Sequence, residues 1–328
     1  MTVGGRLHPD VARARNLVRA ATADVPANAH VLVAVSGGAD SLALAAATAF
    51  VAERALWHAG AVVVDHRLQE GSTDTAERAA QRARECGLDP VDVMPVSVDP
   101  AAGGPEGAAR AARYDALTIA AERWDARAVL LGHTLDDQSE TVLMGLARGS
   151  GARSIAGMPA ANGIWRRPFL ALTRTQTQAA CRASGLTWWD DPHNADPSYT
   201  RVRVRNDALP ALEAALGPGV RSALTRTAAL LRADADLLDE LAAEAERDVV
   251  AANRLIVAGL AALPSALRTR IIHRHARRMG SPPEDLASVH VLEVERLVTD
   301  WHGQGPIELP GRLVAEREGE TVIVRGRT

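Results

Sequence analysis

The sequence predicts an α/β chain: a parallel sheet with helices on both faces, followed by a smaller, mostly helical part that ends in a β-hairpin. Three observations lead there. Short aliphatic and β-branched runs alternate with stretches of helical apolar spacing through the first half of the chain. A glycine-rich turn joins the first run to the first such stretch. Gly217-Pro218-Gly219 then interrupts the pattern before it changes character. Alternation of strand and helix is what parallel strands require, because each connection must travel back across a face of the sheet.

VLVAV, residues 31–35, is a continuous apolar run that reads as a strand buried on both faces. The strand stops at Ser36, Gly37 and Gly38 let the backbone turn, and Leu42, Ala45, Ala46 and Ala49 recur at helical spacing. AVVVDHRL (61–68) is a second strand ending at Asp65-His66, with a helix behind it through Glu77, Ala80, Ala83 and Arg84. PVDVMPVSV (90–98) is a third strand, EGAARAARYDALTIAAERW (106–124) a long helix, and RAVLLGH (127–133) a fourth strand. Such a sheet is Rossmann-like, and its ligands sit beyond the carboxyl ends of the strands, where Ser36, Asp65-His66 and Gly132-His133 all fall. Past Gly217-Pro218-Gly219, residues 220–250 form a long amphipathic helix, 263–280 a second helix ended by Gly280, and 287–300 a third. RLVAEREGETVIVR (312–325), with Gly319 between two alternating runs, is the terminal hairpin. Two domains are expected, 1–216 and 217–328.

At 328 residues the chain is long enough for two cores. No apolar run approaches the roughly 20 residues of a membrane span. Residues 1–20 carry His8, Asp10, Arg13, Arg15 and Arg19 where a secretory signal would be apolar, so a cytoplasmic location without membrane association is expected. Cys86 and Cys181 are far apart and form no CxxC pair, which excludes a disulfide framework or a cysteine zinc site. The net charge of −3 does not announce a nucleic-acid binder, yet all 37 basic residues are arginine. Phosphate contacts must therefore come from guanidinium groups and backbone amides.

The turn itself points to an anion. First-turn N–H groups of a helix have no intrahelical acceptor, and glycine lets them approach a phosphate closely. The Walker lysine and the three-glycine dinucleotide spacing are both missing. Gly-Gly alone would suit a tight turn without ligand, but Ser36, Gly37, Gly38, Ala39, Asp40 and Ser41 add two hydroxyls and a carboxylate suited to a metal. This stretch resembles the SGGxDS loop of the PP-loop ATP pyrophosphatases, which split ATP into AMP and pyrophosphate to activate an oxygen by adenylation. The resemblance implies a Rossmann-like sheet carrying a PP-loop. Further along, His133, Asp136, Asp137 and Glu140 crowd the start of one helix. Acidic residues in a first turn complement the helix dipole, but a crowd of them beside a phosphate loop calls for a divalent cation, with Asp40 and Asp137 as the pair to hold Mg²⁺.

GHTLDDQSETVLMGLARGSG (132–151) closely resembles the HxxDDQxET…RGxG motif of tRNA(Ile)-lysidine synthases. So do VDHRL (64–68), EGAARAARYDAL (106–117, the family's ExxARxxRYxxL) and RRPFL (166–170). WWDDPHNADPSYTRVRVRNDALP (188–210) is similar to WxxDxSNxDxxYxRNxxRxxxxP, with Val202 where the family usually has Asn and His193 where Ser is common. The resemblance implies a C–N ligase acting on the wobble cytidine of the CAU-anticodon isoleucine tRNA. ATP adenylates the C2 oxygen and releases pyrophosphate; free L-lysine then attacks C2 and AMP leaves.

On this footing Ser36 to Ser41 bind the phosphates and Asp65 and His66 lie near the nucleoside of ATP. Asp40, Asp137, His133 and Arg113 are the catalytic candidates. His133 would donate to the α-phosphate or leaving oxygen, with a backbone-satisfying histidine as the plain alternative. Glu140 has two readings, a partner for the lysine ammonium or a helix cap. Arg201, Arg203 and Arg205 alternate, so an extended segment would present them as one cationic ridge to an RNA backbone. Arg270, Arg274, Arg277 and Arg278 share a helix face that would meet the acceptor stem. Trp188 and Trp189 would stack a flipped base or lie buried. The sequence leaves a homodimer open. The rival readings are another PP-loop tRNA-modifying enzyme, such as a thiolase, which the lack of cysteine pairs disfavours, and a non-catalytic nucleotide sensor, which would leave the acidic cluster without a task.

Overall fold

The computed structural model of the chain describes residues 7–67, 71–97, 105–149, 151–191, 196–282 and 285–327. It divides into two compact units, Met1–Met144 with Met158–Thr225 and Gly145–Gly157 with Arg226–Thr328. The sequence places the change at 216/217. In the structure Gly217 and Gly219 (φ 92° and 103°) make only a turn, and the division falls inside the continuous helix that follows.

In the first unit α1 (Pro9–Ala21) precedes β1 (His30–Ala34), α2 (Ala39–Ala55), β2 (His58–Asp65), α3 (Ser72–Glu85), β3 (Val91–Pro95), α4 (Pro105–Arg123) and β4 (Ala126–Leu130). After α5 (Leu135–Ala147) and the short α6 (Ala152–Ile155) come β5 (Ala161–Asn162) and β6 (Trp165–Arg166). The unit closes with α7 (Arg174–Ala183), α8 (Thr200–Arg203), a π-helical turn over Val204–Ala208 and α9 (Leu209–Leu216). The sheet order is β3-β2-β1-β4-β6-β5, parallel except between β5 and β6. Val33 pairs with Ala61 on one side and Leu130 on the other.

Alternation along β1 explains its unbroken apolar run. Val31, Val33 and Val35 enter a core with Leu42 and Ala45 of α2, Ala80 of α3 and Ala180 of α7. Leu32 and Ala34 enter a separate core with Leu117 and Ala120 of α4. Both faces are covered, as parallel strands require. The chain steps outward from β1 to β3 and returns on the other side of β1 to form β4. The turns after β1 and β4 therefore leave a crevice between them.

In the second unit α10 (Val220–Val249), which begins in the first, is followed by β7 (Val250–Ala251), β8 (Arg254–Ile256), α11 (Val257–Ala262), α12 (Ser265–Arg278) and α13 (Ser288–Thr299). Then come β9 (Ile307–Leu309), β10 (Leu313–Glu318) and β11 (Thr321–Gly326). The last two strands are the expected hairpin, turning at Gly319. They sit inside a five-stranded antiparallel sheet, β7-β8-β11-β10-β9, which the sequence reading did not foresee beyond the hairpin. Leu255, Leu260, Ile271, Leu297, Ala315 and Val322 form its core with the helices. Among the described residues no helix is long and apolar enough to cross a membrane.

Candidate active site

A cavity of about 560 Å³ opens at the carboxyl ends of β1 and β4, and Ser36, Asp40, His66, Arg113, His133, Asp137, Arg174, Arg201 and Arg205 are among its lining residues. The turn after β1 builds one wall. Gly37 takes φ 85°, which L side chains rarely adopt, and Gly38 is an N-cap without a side-chain acceptor, so the first amides of α2 stay open to an anion. Ser41 Oγ accepts the Ser36 N–H at 3.2 Å and donates to Gly38 O at 2.9 Å. Its hydroxyl therefore braces the loop, whereas Ser36 is exposed. Gly132, after β4, packs on the backbone of Asp40 and Ser41; a Cβ there would lie 3.2 Å from those atoms, so a side chain would push the two turns apart.

The carboxylates converge through arginine. Arg174 directs Nε to Asp40 Oδ2 at 3.4 Å and a terminal nitrogen to Asp137 Oδ1 at 3.3 Å, while its own N–H donates to Asp136 at 2.7 Å. Thr177, one turn on, donates to Asp40. Burial, opposed by Thr177 and Arg174 and reinforced by the charge of Asp137, pushes the Asp40 carboxyl up to about 6. Burial would also raise Asp137, but Arg201, Arg174 and the Thr134 N–H at 2.8 Å hold it below the usual carboxylate range. Arg174 and Thr177 were missed in the sequence; they lie more than 130 positions from Asp40, and no local pattern marks them.

His133 Nδ1 and His66 Nδ1 are buried without hydrogen-bond partners among the described residues. Burial, with Arg113, Arg167 and Arg201 nearby, drives the His133 pKa down, so the ring is neutral at pH 7 and keeps one N–H to donate. Arg113 lines the cavity with no hydrogen bond or ion pair among the described residues, whereas Arg110 lies over the Tyr114 ring at 5.2 Å. Arg167, of the RRPFL segment, donates to Tyr114 Oη at 3.0 Å and fixes that wall. Asp65 does not line the cavity. It accepts from Arg67 N, Ser72 and Thr73, closing the turn after β2 against the start of α3, while its neighbour His66 reaches the cavity.

The expected extended ridge does not form. Arg201, Arg203 and Arg205 are helical, so residues four apart share a face and the middle one leaves it. Arg201 Nε and Arg205 Nε close on Glu140 at 2.7 and 2.6 Å, and Glu140 is fully buried. Glu140 is thus neither a simple cap nor an open partner for an ammonium. Arg203 is exposed and donates to Pro197 O and Ser198 O, securing its own turn. Trp189 lines the cavity and is only half-buried; His193 lies outside the described residues. In the second unit three of the four α12 arginines expected to meet RNA hold carboxylates, Arg270 on Asp239 and Arg274 and Arg278 on Glu246, as does Arg268 on Glu295.

Two family models match the chain, a PP-loop domain over residues 10–212 and a TilS substrate binding domain over 255–323. A tRNA(Ile)-lysidine synthase of Streptomyces coelicolor is 56% identical over 305 residues, 92% of this chain and 86% of that protein. One from Thermobifida fusca is 53% identical over 317 residues, 96% of this chain and 98% of the relative. The chain belongs to the tRNA(Ile)-lysidine synthase family. Membership makes it a PP-loop ligase that forms a C–N bond on tRNA at the expense of ATP. The fold is shared more widely. A U34-tRNA thiolase, NcsA from Methanococcus maripaludis with its [4Fe-4S] cluster, superposes with a TM-score of 0.55 at 19% identity, covering 68% of this chain and 80% of that one. In this family member Cys181 is buried and donates to Ala39 O at 3.1 Å, and burial raises the Cys86 and Cys181 thiols to about 11 and 12. Neither is the thiolate that sulfur chemistry needs.

Proposed function

We propose that the cavity adenylates the C2 oxygen of the wobble cytidine in the CAU-anticodon isoleucine tRNA and then admits the side-chain amine of free lysine. The observation that carries this reading is the open amide loop at Ser36–Ser41 facing Asp137, His133 and Arg113 across one cavity, in a chain over 50% identical to lysidine synthases along nearly its whole length. In the first step the C2 oxygen bonds to the α-phosphorus and pyrophosphate leaves. In the second, the amine bonds to C2, the C2–O bond breaks, and AMP departs while the amine gives up a proton.

The residues divide this work by charge. The open first-turn amides of α2 and the Ser36 hydroxyl suit the pyrophosphate portion of ATP. Arg113, with no hydrogen bond or ion pair among the described residues, has donors to offer a phosphate oxygen bidentately. Neutral His133 offers an N–H to an oxygen that gains charge during the displacement. Asp40 and Asp137 fit Mg²⁺, a hard cation that takes one or two carboxylates and completes its shell with phosphate oxygens and water. Among the described residues no three His, Cys, Asp or Glu side chains gather to hold an ion, so the nucleotide would supply the remaining ligands. When bound, Mg²⁺ neutralises charge on the phosphates. The first compact unit carries this chemistry and the second contacts the tRNA, with Arg274, Arg277 and Arg278 among the residues facing its acceptor stem, while Arg270 is held by Asp239. The setting is cytoplasmic.

The test is sequential. Pyrophosphate release should require tRNA, and AMP release should then require lysine, with labelled lysine appearing in the anticodon. Pyrophosphate release at the same rate without tRNA, or transfer of sulfide in place of lysine, would sink the reading.

A further inference from the structure

Arg174 is the first residue of α7, the end of a helix where the dipole disfavours a cation, and no acidic residue in the first turn of α7 offsets it. The helix does not need this side chain to begin. Thr173 and Gln176 form a reciprocal capping box, and the Arg174 N–H donates to Asp136 at 2.7 Å whatever side chain the residue carries. The guanidinium instead stands between two carboxylates from different turns, Asp40 after β1 and Asp137 on α5, and gives one nitrogen to each. Among the described residues it is the ion-pair partner of Asp40, whereas Asp137 also meets Arg201 and Arg205.

Both contacts are long. At 3.4 and 3.3 Å they exceed the about 2.7–2.9 Å of a charge-assisted hydrogen bond, while Arg201 and Arg205 close on Glu140 at 2.7 and 2.6 Å. A guanidinium split between two acids and stretched to reach them is a charge that another cation can displace. Its side chain is 29% exposed and lines the cavity, so it has room to turn away. Thr177, on the same helix, holds Asp40 through a hydroxyl and brings no charge. We infer that Arg174 is a positioning residue that stands in for the divalent cation: it holds Asp40 and Asp137 side by side before ATP binds and cedes them when Mg²⁺ arrives with the nucleotide. The inference rests on the metal reading of these two carboxylates given above. Its consequence is order, because the pair then captures no cation ahead of ATP.

The probe is Mn²⁺, titrated into the full-length protein and followed by electron paramagnetic resonance with no tRNA or lysine present. Without nucleotide, Arg174→Met should bind Mn²⁺ about tenfold more tightly than wild type, because a competing positive charge is gone. Arg174→Lys keeps that charge and should stay within about twofold of wild type. Thr177→Val removes a hydroxyl but no charge and should not tighten the ion. Calorimetry with an α,β-methylene analogue of ATP gives a second readout. Without a divalent cation, Arg174→Met should bind the analogue about tenfold more weakly than wild type, since two bare carboxylates then face the phosphates, and saturating Mg²⁺ should close most of that gap. Where melting shows that Arg174→Met does not fold, Arg174→Gln takes its place. Mn²⁺ affinity unchanged or weakened in the folded neutral variant, or tightened equally in Thr177→Val or Arg174→Lys, would overturn the inference. Pyrophosphate release independent of tRNA would instead overturn the functional reading, and the ion titration, which uses no tRNA, would still decide the role of Arg174.

Discussion

Two places in this chain use one device, a pair of arginines four residues apart that share a single glutamate. At the pocket Arg201 and Arg205 close on Glu140; on α12 Arg274 and Arg278 close on Glu246. The pocket arginines are 26% and 19% exposed and their glutamate is fully buried, whereas the α12 arginines are 43% and 46% exposed. In the first case the charges are out of water and neither partner can be lost without stranding the other. In the second, solvent screens the pair and leaves donors facing outward. The same sequence spacing therefore makes a rigid wall in one region and a receptive surface in the other.

The largest effect should come where that wall meets the nucleotide. Asp137 joins Arg174, Arg201 and Arg205 to the proposed metal position. Asp137→Asn keeps the side chain's shape and an acceptor for the Thr134 N–H but removes the charge. Pyrophosphate release should fall about a thousandfold, equivalent to roughly 4 kcal/mol of barrier, with tRNA affinity within a few-fold of wild type. Unchanged pyrophosphate release would remove Asp137 from the site.

The glutamates themselves give the direct comparison. Glu140→Gln leaves two largely buried guanidiniums to share the longer contact with Asp137 and should cost about 3 kcal/mol in urea unfolding. Glu246→Gln has half-exposed partners and should cost about 1 kcal/mol or less. Equal losses would break the distinction drawn here, because burial would then not be what separates the two clusters.

Why one cluster was legible and the other was misread follows from local signals. The loop at 36–41 announces itself by a buried strand, a glycine that must take positive φ and a helix start, all within a few residues, and α12 by its spacing and Gly280. Arg201, Arg203 and Arg205 carry an alternation that fits a strand equally well. Tertiary pairing with Glu140, more than 60 positions away, accompanies a helix there. Asp65 looked like a ligand residue because it sits at a strand end, yet Ser72 and Thr73 occupy it. Arg174 and Thr177 belong to a helix whose sequence reads as an ordinary capped one, and only the fold brings them to Asp40. Strands β7, β8 and β9 are two or three residues long, too short for any period to show.

The smallest expected effect concerns histidines that both regions keep out of water. His275, on α12, is fully buried with neither ring nitrogen partnered among the described residues, and burial together with the charge of Arg278 lowers its pKa from 6.5 against the weaker pull of Glu246. Below pH 6.5 the unfolded chain takes up a proton there that the folded chain refuses. The unfolded state then binds more protons, so stability must fall as pH drops through that range. His275→Leu, close in volume, removes the site and with it that share of the acid loss, while changing little near pH 8. Hydrogen exchange of α12 amides at pH 8 and pH 5.5 separates this contribution from His133 and His66, whose pKa values are lowered in the first unit. Protection in α12 should decline less in the variant than in the wild type. An equal decline would mean that the His275 ring accepts its proton within the fold, and that the interior of the second unit is more polar than the pocket wall it is compared with.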